Sequence, residues 1–377
     1  MKILIWARFS SHHFAIKNVI TNICNRISVD EKNEYTILTN KENISEFTKN
    51  EKINIIPVGI NRDNAILNHF FTVFILPVYV LLKKYDLVIF PQITFYLFKT
   101  SKLLFYIHDL IEFKLDNQTN ISLFFRKYFF KRIAKISDHI ITVSENSKVD
   151  IIRFLKCSDA RVSVLYNGRD ENLYPQDKAY SFENLYHEYH ELSHIGKYIL
   201  YVGYLAHPQK NILFAIDGVV DFIKKNDFYF LLVGPDGKDA KLIHKKIDEA
   251  NKYIGMERII ALGTVNKNLL PFFYSGASCF IFTSLYEGFG MPVIEAMSCS
   301  CPVITSNTSS LKEISQGYAM LVNPNNLDEF KNALEAVISQ PRKDISFYRN
   351  HLEKFTWNKH VSDLIHLIND SFGGFHD

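Results

Sequence analysis

The chain of 377 residues lacks the cysteine patterns that mark metal-binding or disulfide-stapled proteins. Its five cysteines include no Cys-x-x-Cys pair, and they are Cys24, Cys157, Cys279, Cys299 and Cys301. An odd count without zinc or disulfide spacing favours a reducing compartment. We therefore expect a cytoplasmic protein without structural zinc.

Long apolar runs are also missing. The longest, at 70–82, reads FFTVFILPVYVLL and contains Pro77. It is shorter than the ~20 residues that a membrane-spanning helix requires. A buried helix is the favoured interpretation, with an interfacial segment as the alternative. The apolar run near Met1 is too short for a signal peptide, which agrees with the cytoplasmic expectation.

Charge is nearly balanced. The net charge is +3, with 22% charged and 47% hydrophobic residues. These values are typical of a soluble globular protein, and the small net charge gives no argument for nucleic-acid binding. A chain of this length is more typical of two domains than of one.

One segment, 122–135, is both basic and aromatic. Five cations alternate there with pairs of phenylalanines at helical spacing, and they are Arg126, Lys127, Lys131, Arg132 and Lys135. Such a helix either packs on a core with a solvated basic face or lies on anionic lipid. Both interpretations stay open, and the solvated face is slightly favoured.

The rest of the chain alternates apolar strands with amphipathic helices. The strand-like runs are KILIWA (2–7), YTIL (35–38), DLVIF (86–90), LLFYIH (103–108), HIITVS (139–144), RVSVLYNG (161–168), YILYVGY (198–204), FYFLLVGP (228–235), RIIALGTV (258–265), SCFIFTS (278–284) and PVITS (302–306). This alternation predicts parallel sheets covered on both faces. A polar stretch at about 170–195 interrupts it. We therefore predict two doubly wound α/β domains, at 1–180 and 190–354, with a C-terminal helix at about 355–377 that packs back on the first.

A loop and a helix start follow the predicted strand 278–284. The sequence YEGFGMPVIEA places Glu287 in the loop and Glu295 one turn inside the helix. Gly288 and Gly290 allow close backbone approach, and the free amides of a helix N-terminus favour phosphate. Two carboxylates beside a phosphate site suit a ligand with hydroxyl groups on both sides of a diphosphate. Taken singly, each glutamate is more simply a first-turn helix charge or a solvated loop acid.

The combined motif Tyr-Glu-Gly-Phe-Gly-Met-Pro-Val-Ile-Glu-Ala-Met resembles the E-x7-E signature of retaining glycosyltransferases of family 4, which have the GT-B fold. The phrases YILYVGYLAHPQKN, FLLVGP, FYIHDL, HIITVSENSK and VLYNGRDENLYP are similar to that family too. The resemblance extends over about 85–325. It implies two Rossmann-like domains facing a cleft.

The resemblance also implies roles for residues of the second domain. Glu295 would accept the ribose hydroxyls, and Glu287 would contact the donor sugar. Lys210 would neutralise the leaving diphosphate, where developing charge is best stabilised by a preorganised cation. The other donor-binding positions are the backbone of Phe289, Gly290 and Met291, the base contact Val265, and Gly203 with Tyr204.

On the acceptor side, the resemblance points to strand ends of the first domain. His108 would face the donor sugar near the reacting carbon, and Asp109 follows it. Without the motif, His108 would more simply be a hydrogen-bonded core histidine. Ser11, His12 and His13 stand where relatives often carry Gly-x-Gly, so they would bind the acceptor instead.

Two further features define the expected chemistry. Relatives often carry arginine where this chain has Tyr204, which leaves Lys210 as the main cation of the leaving-group pocket. No Asp-x-Asp occurs, so we expect metal independence and no cofactor. Retention in this family is usually described as front-face attack, with the leaving phosphate helping to deprotonate the acceptor.

The resemblance suggests a donor and an acceptor without defining them. The most similar families assemble bacterial surface polysaccharides such as O-antigen or capsule, often with GDP-mannose as the donor and a polyprenyl-diphosphate-linked acceptor. The segment 122–135 would suit such an acceptor at the inner face of the membrane. The alternative is a GT-B partner protein that binds a nucleotide sugar with little activity of its own. An epimerase on the same fold lacks support from the E-x7-E motif.

Overall fold

Two separate parallel sheets organise the chain in a computed structural model, which describes residues 1–9, 14–48, 50–59, 65–114 and 121–373. The strands are β1 (Lys2–Trp6), β2 (Glu34–Asn40), β3 (Ile53–Val58), β4 (Leu87–Phe90), β5 (Lys102–Tyr106), β6 (His139–Thr142), β7 (Val162–Val164), β8 (Tyr198–Val202), β9 (Tyr229–Val233), β10 (Ile259–Gly263), β11 (Cys279–Phe282), β12 (Val303–Ser306) and β13 (Met320–Val322). The first sheet has the order β3-β2-β1-β4-β5-β6-β7, and the second has the order β10-β9-β8-β11-β12-β13. The prediction of two doubly wound parallel α/β units is confirmed.

Helices connect the parallel strands. They are α1 (Phe14–Arg26), α2 (Ala65–Phe70), α3 (Leu76–Lys83), α4 (Ile111–Lys114), α5 (Ile121–Ile136), α6 (Glu145–Leu155), α7 (Lys178–Glu188), α8 (Ile212–Lys225), α9 (Ala240–Ile254), α10 (Leu270–Gly276), α11 (Met291–Ser298), α12 (Ser309–Ser315), α13 (Leu327–Ser339), α14 (Ile345–Leu352) and α15 (Trp357–Phe372). Parallel strands need such crossovers because consecutive strands must start at the same edge.

Contacts divide the chain into one unit of Met1–Gly168 with Thr356–Asp377 and a second of Arg169–Phe355. The sequence had suggested bounds of 1–180 and 190–354. In the structure, the polar stretch after residue 169 groups with the second unit, because Tyr180 of α7 packs edge-on against Phe272 at 5.7 Å. The helix α15 belongs to the first unit.

The first sheet is covered on both faces. Alternate residues of β1 point to opposite sides, as the pleat requires. Ile3 and Ile5 pack in a cluster with residues of α1 and α15. Leu4 and Trp6 pack in another cluster with residues of α3 and α5. Helices on both faces bury the strands fully, which explains why the strands read as continuous apolar runs.

The apolar run 70–82 forms helical structure, but the prediction that it is buried is wrong. Leu76 and Val80 are fully buried, while Phe74 is 56% and Leu82 is 76% exposed. A wide helical turn at Phe71–Ile75 precedes Pro77, whose missing N–H cannot bond to the preceding turn. Only one side of this helix meets the sheet, so its other apolar side faces solvent.

The basic segment 122–135 lies on α5, and its burial is also one-sided. Phe129 and Ile133 are buried in the core, whereas Phe124, Phe125 and Tyr128 are exposed. The helix therefore exposes aromatic residues together with its cations. Among the described residues, no helix combines the length and apolarity needed to cross a membrane.

Candidate functional site

The second sheet has its switch point between β8 and β11, which pair in parallel while their chain connections leave in opposite directions. Ligands of open α/β sheets bind beyond the carboxyl ends of strands at such a point. The loops 203–211 and 283–290 follow these two strands. They hold Lys210 and Glu287, so topology places both predicted residues at one edge of the sheet.

Hydrogen bonds fasten the two loops to each other. The amide of Leu285 donates to the carbonyl of Gln209 at 2.8 Å, and the Gln209 side chain donates to the carbonyl of Tyr286 at 3.3 Å. Thr283 donates through Oγ1 to the carbonyl of Asn211 at 3.3 Å. Lys210 and Glu287 are therefore held from both sides rather than carried on independent loops.

The Lys210 ammonium donates to Glu287, with 2.6 Å between Nζ and Oε1. The two side chains are only 15% and 11% exposed. Lys210 Nζ also lies 5.4 Å from the ring centre of Phe282 in β11. A nearly buried cation needs a partner. Glu287 is that partner, which preorganises a positive charge beside a carboxylate.

The helix α12 supports the loop that carries Glu287. The Glu287 amide donates to Ser309 Oγ at 3.1 Å, and Ser310 Oγ lies 2.9 Å from the Glu287 carbonyl and 2.8 Å from the Phe289 carbonyl. Ser309 and Ser310 were not identified from sequence. Their position at a helix start after β12 was the available signal.

Gly290 and the helix α11 form the end of this loop. Gly290 has φ +108° and caps α11, and Pro292 occupies the first turn. A Cβ at Gly290 would lie 2.6 Å from a methyl group of Leu311. Only glycine satisfies both the dihedral angle and the space. The eight-residue helix thus begins directly after Phe289 and Gly290, with Met291 as its first residue and its N-terminal dipole at this edge.

Glu295 lies one turn inside α11 and is held by Tyr274 of α10. The Tyr274 hydroxyl donates to Glu295 Oε2 at 2.9 Å. Burial raises the pKa of the Glu295 carboxyl, while the Tyr274 hydrogen bond and the charge of Lys267 oppose that shift. Lys267 itself pairs with Asp170. Tyr274, Lys267 and Asp170 were not identified from sequence, because none stands near the motif.

The remaining predicted donor residues lie at the ends of the same strands. Gly203 and Tyr204 follow β8, and the Tyr201 hydroxyl donates to the Tyr204 carbonyl at 2.9 Å. The Tyr204 side chain is exposed. Val265 is half-buried two residues beyond β10. Their contacts with a donor stay predictions.

In the first unit, His108 follows β5 and is fixed by the backbone. Its Nε2 lies 2.9 Å from the carbonyl of Pro91, so Nε2 carries the proton and Nδ1 is the acceptor nitrogen. Burial lowers the pKa of His108, which keeps the imidazole neutral near pH 7. Asp109 Oδ1 accepts from the amide of Ile111 at 3.1 Å. Ser11, His12 and His13 lie outside the described residues.

A second histidine lies behind this strand end. His360 of α15 is buried, with Nδ1 2.8 Å from the Tyr166 carbonyl and Nε2 3.2 Å from the Tyr106 hydroxyl. Burial lowers the pKa of His360 to about 4, and the neighbouring His108 contributes to the shift. No motif in the sequence indicated this network. It joins α15 to β5, the strand that carries His108.

Within the part of the chain that the structure describes, no group of three or more His, Cys, Asp or Glu residues is placed to hold a metal ion. Lys210 and Glu287 are paired at the switch point of the second sheet, and Glu295 follows on α11. This arrangement offers a cation, a helix N-terminus and two carboxylates along one sheet edge.

Two family profiles match the chain. The profile described as "Glycosyltransferase Family 4" matches residues 19–173, and the one described as "Glycosyl transferases group 1" matches residues 196–340. Together they account for most of the sequence. The first profile matches residues that lie largely in the first unit, and the second matches residues of the second unit.

Curated relatives support the same family. The chain is 28% identical to the O-antigen chain mannosyltransferase B of Escherichia coli, over 60% of this chain and 59% of that protein. It is 32% identical to an uncharacterized glycosyltransferase of Methanocaldococcus jannaschii, over 62% and 60% of the two chains. It is 27% identical to the O-antigen chain mannosyltransferase RfbU of Salmonella typhimurium, over 67% and 65%. These alignments span roughly three fifths of the relatives' own length.

Solved structures share the fold. A glycosyltransferase from Rickettsia africae has a TM-score of 0.75 at 17% identity, covering 99% of both chains. Anabaena HepE, solved in complex with UDP and glucose, has a TM-score of 0.72 at 17% identity, covering 98% of this chain and 100% of that one. At 17% identity, this similarity supports a shared fold only. With both profiles and the shared fold in agreement, the chain belongs to the family 4 glycosyltransferases of the GT-B fold.

Proposed function

We propose that the protein is a retaining glycosyltransferase that moves a hexose from a nucleotide diphosphate donor to a hydroxyl of a growing, lipid-linked surface glycan. The best candidate donor is GDP-mannose. The observation that carries the proposal is the 2.6 Å pair of Lys210 and Glu287 at the switch point of the second sheet. It places a cation and a carboxylate where this topology binds ligands.

The diphosphate would bind between Lys210 and the N-terminus of α11. Incoming phosphate oxygens compete with Glu287 for the Lys210 ammonium, since each is a strong acceptor. Glu287 can then accept hydrogen bonds from hydroxyl groups of the donor sugar. Lys210 and the helix dipole act on the charge that develops on the leaving phosphate, where preorganised electrostatics contribute most to rate. These groups replace a divalent cation in this proposal.

Glu295 would bind the ribose. Tyr274 holds one carboxylate oxygen, Oε2, which orients the group. The other oxygen can then accept from a ribose hydroxyl. Burial raises the pKa of Glu295 and so disfavours its ionised form. Hydrogen bonds from ribose hydroxyls would stabilise that ionised form.

The reaction breaks the bond between the anomeric carbon and the phosphate oxygen and forms a bond from that carbon to the acceptor oxygen. The acceptor proton passes to the leaving phosphate. His108, neutral and oriented by the Pro91 carbonyl, is proposed to contact the donor sugar through Nδ1. Ser11, His12, His13 and Asp109 are proposed to lie on the acceptor side. Phe289, Gly290, Met291, Val265, Gly203 and Tyr204 are proposed donor contacts.

Mannose is proposed because several relatives are named mannosyltransferases, including serotype-specific enzymes of Escherichia coli at 23% identity over 70% of this chain. The surface-glycan acceptor rests on the names of the O-antigen relatives. The guanosine nucleotide rests on the resemblance alone.

A panel of nucleotide sugars in a thermal-shift assay tests the donor, since a ligand that binds the folded state raises the unfolding midpoint. GDP-mannose should give the largest shift, and a shift with UDP- or dTDP-sugars only would refute the donor proposal. A transfer assay with lipid-linked acceptors then tests the activity. Donor binding without transfer would favour the nucleotide-sugar-binding partner protein instead.

A further inference from the structure

The first unit exposes a large set of apolar side chains, each at least 40% accessible to solvent. They come from α2 and α3 with the turn between them, from the segment 93–98, and from the first two turns of α5. They are Leu67, Phe70, Phe74, Ile75, Val78, Leu81, Leu82, Phe95, Phe98, Phe124, Phe125 and Tyr128. We call this set the apolar surface.

The three segments of the apolar surface are joined by contacts. The ring of Phe95 lies 4.6 Å from the ring of His69 in α2 and stacks on Phe129 of α5 at 3.8 Å. Arg132 of α5 donates to the Leu97 carbonyl at 3.0 Å. Phe98 and Phe74 line a common groove. These contacts hold α2, the segment 93–98 and α5 next to one another in the first unit.

Its presence is not a consequence of loose packing. Leu76, Val80 and Phe129, on the same helices, are buried in one core cluster. Each helix packs one apolar side and still exposes the other. Single exposed apolar residues are common on soluble proteins, whereas contiguous patches mark interaction sites.

The charged side chains of these segments are all lysines or arginines. The ranges 65–84, 91–102 and 121–136 contain nine lysines and arginines and no aspartate or glutamate. Some of these cations have partners outside the ranges: Lys99 pairs with Asp138 at 2.8 Å, and Arg126 pairs with Glu112. Lys83 and Lys84 directly follow Leu82 in sequence, Lys131 and Lys135 lie on α5, and all four are exposed.

We propose that the apolar surface is a docking surface for an anionic lipid bilayer, with its Phe and Leu side chains in the interface and its lysines at the level of the lipid phosphates. Apolar insertion together with cationic attraction is the combination by which helices bind such interfaces. The helices lie on the bilayer, since none of the described ones could cross it.

The charge argues against the other simple occupant, a second copy of this chain. A symmetric dimer would bring together two copies of a surface whose charges are all positive, and charges of the same sign across an interface are unfavourable. The basic face of α5, predicted from sequence as one alternative, becomes part of a wider surface on α2, α3 and the segment 93–98. The inference does not depend on the transfer reaction.

Sedimentation of the 377-residue chain with vesicles tests this proposal. The wild type should sediment with vesicles of phosphatidylcholine and phosphatidylglycerol at least about tenfold more than with phosphatidylcholine alone. The triple variant Phe74→Ser, Leu82→Ser, Phe98→Ser should lose binding. Lys131→Glu with Lys135→Glu should lose most of it. The variant Leu242→Ser with Met256→Ser, at exposed apolar positions of the second unit, should bind like the wild type.

Circular dichroism and the unfolding midpoint establish that each variant is folded, and light scattering gives its oligomeric state. A wild type that stays in the supernatant with anionic vesicles would overturn the proposal. So would a folded triple variant that binds as well as the wild type. A concentration-dependent dimer that the triple variant abolishes, without vesicle binding by the wild type, would show that a second copy covers the surface.

Discussion

Lys210 and Glu287 stand 77 residues apart in sequence, and their side chains meet at 2.6 Å. Two loops at the carboxyl ends of β8 and β11 bring them together, and one backbone and two side-chain hydrogen bonds between the loops hold them there. Both side chains are nearly buried, so each depends on the other for charge compensation. Variants of one or both residues should therefore change the free energy of unfolding and the transfer rate by different amounts.

Replacing Lys210 with Met leaves the Glu287 carboxylate without its cation. Breaking a buried pair by removing one partner destabilises a protein by about 3 kcal/mol. Removing a preorganised charge from the transition state lowers kcat by about 100-fold or more. Denaturant unfolding and a transfer assay measure the two effects.

The double variant Lys210→Met with Glu287→Gln is the matched control. It removes both charges, so we expect it to regain much of the lost unfolding free energy, since no uncompensated charge remains. Transfer should stay as low as in the single variant. If transfer returned together with stability, Lys210 would have only a structural role.

Glu295→Gln should lower nucleotide affinity without lowering the stability of the fold. Because burial raises the pKa of Glu295, its ionised form costs stability as pH rises through that pKa. The glutamine variant should therefore be at least as stable as the wild type at pH 7, while nucleotide affinity falls by about tenfold or more. Titration calorimetry with the free nucleotide measures the affinity. A destabilised variant with normal affinity would contradict the ribose role.

Tyr274→Phe tests the residue that orients Glu295. Loss of the hydroxyl removes the hydrogen bond to Oε2 and should weaken nucleotide binding, because the carboxylate is no longer held. Tyr253→Phe removes the hydroxyl of an exposed tyrosine on α9 that donates to Asp221 on α8, and it should leave binding unchanged. If the two variants bound the nucleotide with equal affinity, Tyr274 would have no role in nucleotide binding.

Gly290→Ala should cost more than a positive φ alone explains. Gly290 (φ +108°) would place a Cβ 2.6 Å from buried Leu311, whereas Gly255 (φ +88°) has open space around it. Gly255→Ala should cost about 1 kcal/mol for the left-handed backbone. Gly290→Ala should cost clearly more and also weaken nucleotide binding, because α11 must shift. Comparable losses in both variants would show that the packing at Gly290 is unimportant.

His360 predicts acid sensitivity of the first unit. Its pKa of about 4 lies below its ordinary value of 6.5, so the unfolded chain binds a proton before the folded one does. Stability from this group is present above pH 6.5 and is lost between pH 6.5 and 4, by about 3 kcal/mol in total. His360→Gln should flatten that part of the profile of unfolding free energy against pH. His366→Gln, at an exposed position on the same helix, should leave it unchanged.

The sheets were predictable because their strands are buried on both faces and so appear as uninterrupted Ile, Val, Leu and Phe runs. The position of Glu287 and Glu295 was predictable because a strand, a glycine loop and a helix start follow one another in sequence. Tyr274 was not, since its contact with Glu295 spans 21 residues and depends on how α10 packs. No local pattern records such a contact.

The run 70–82 shows a different limit. Its composition indicates burial, and the helix is correct, yet Phe74 and Leu82 face solvent. Apolar periodicity identifies an apolar face but does not identify what covers it. A face that covers a lipid interface and a face that covers a sheet have the same sequence pattern.

The most direct test of the central claim is the stereochemistry of transfer without metal. GDP-α-mannose labelled with ¹³C at the anomeric carbon is incubated with the protein, lipid-linked acceptors and a chelator, and the product is read by NMR. A retaining, metal-independent transfer should give an α-linked product that forms with the chelator present and is lost in Lys210→Met. A β-linked product, or transfer that requires added divalent cation, would contradict it.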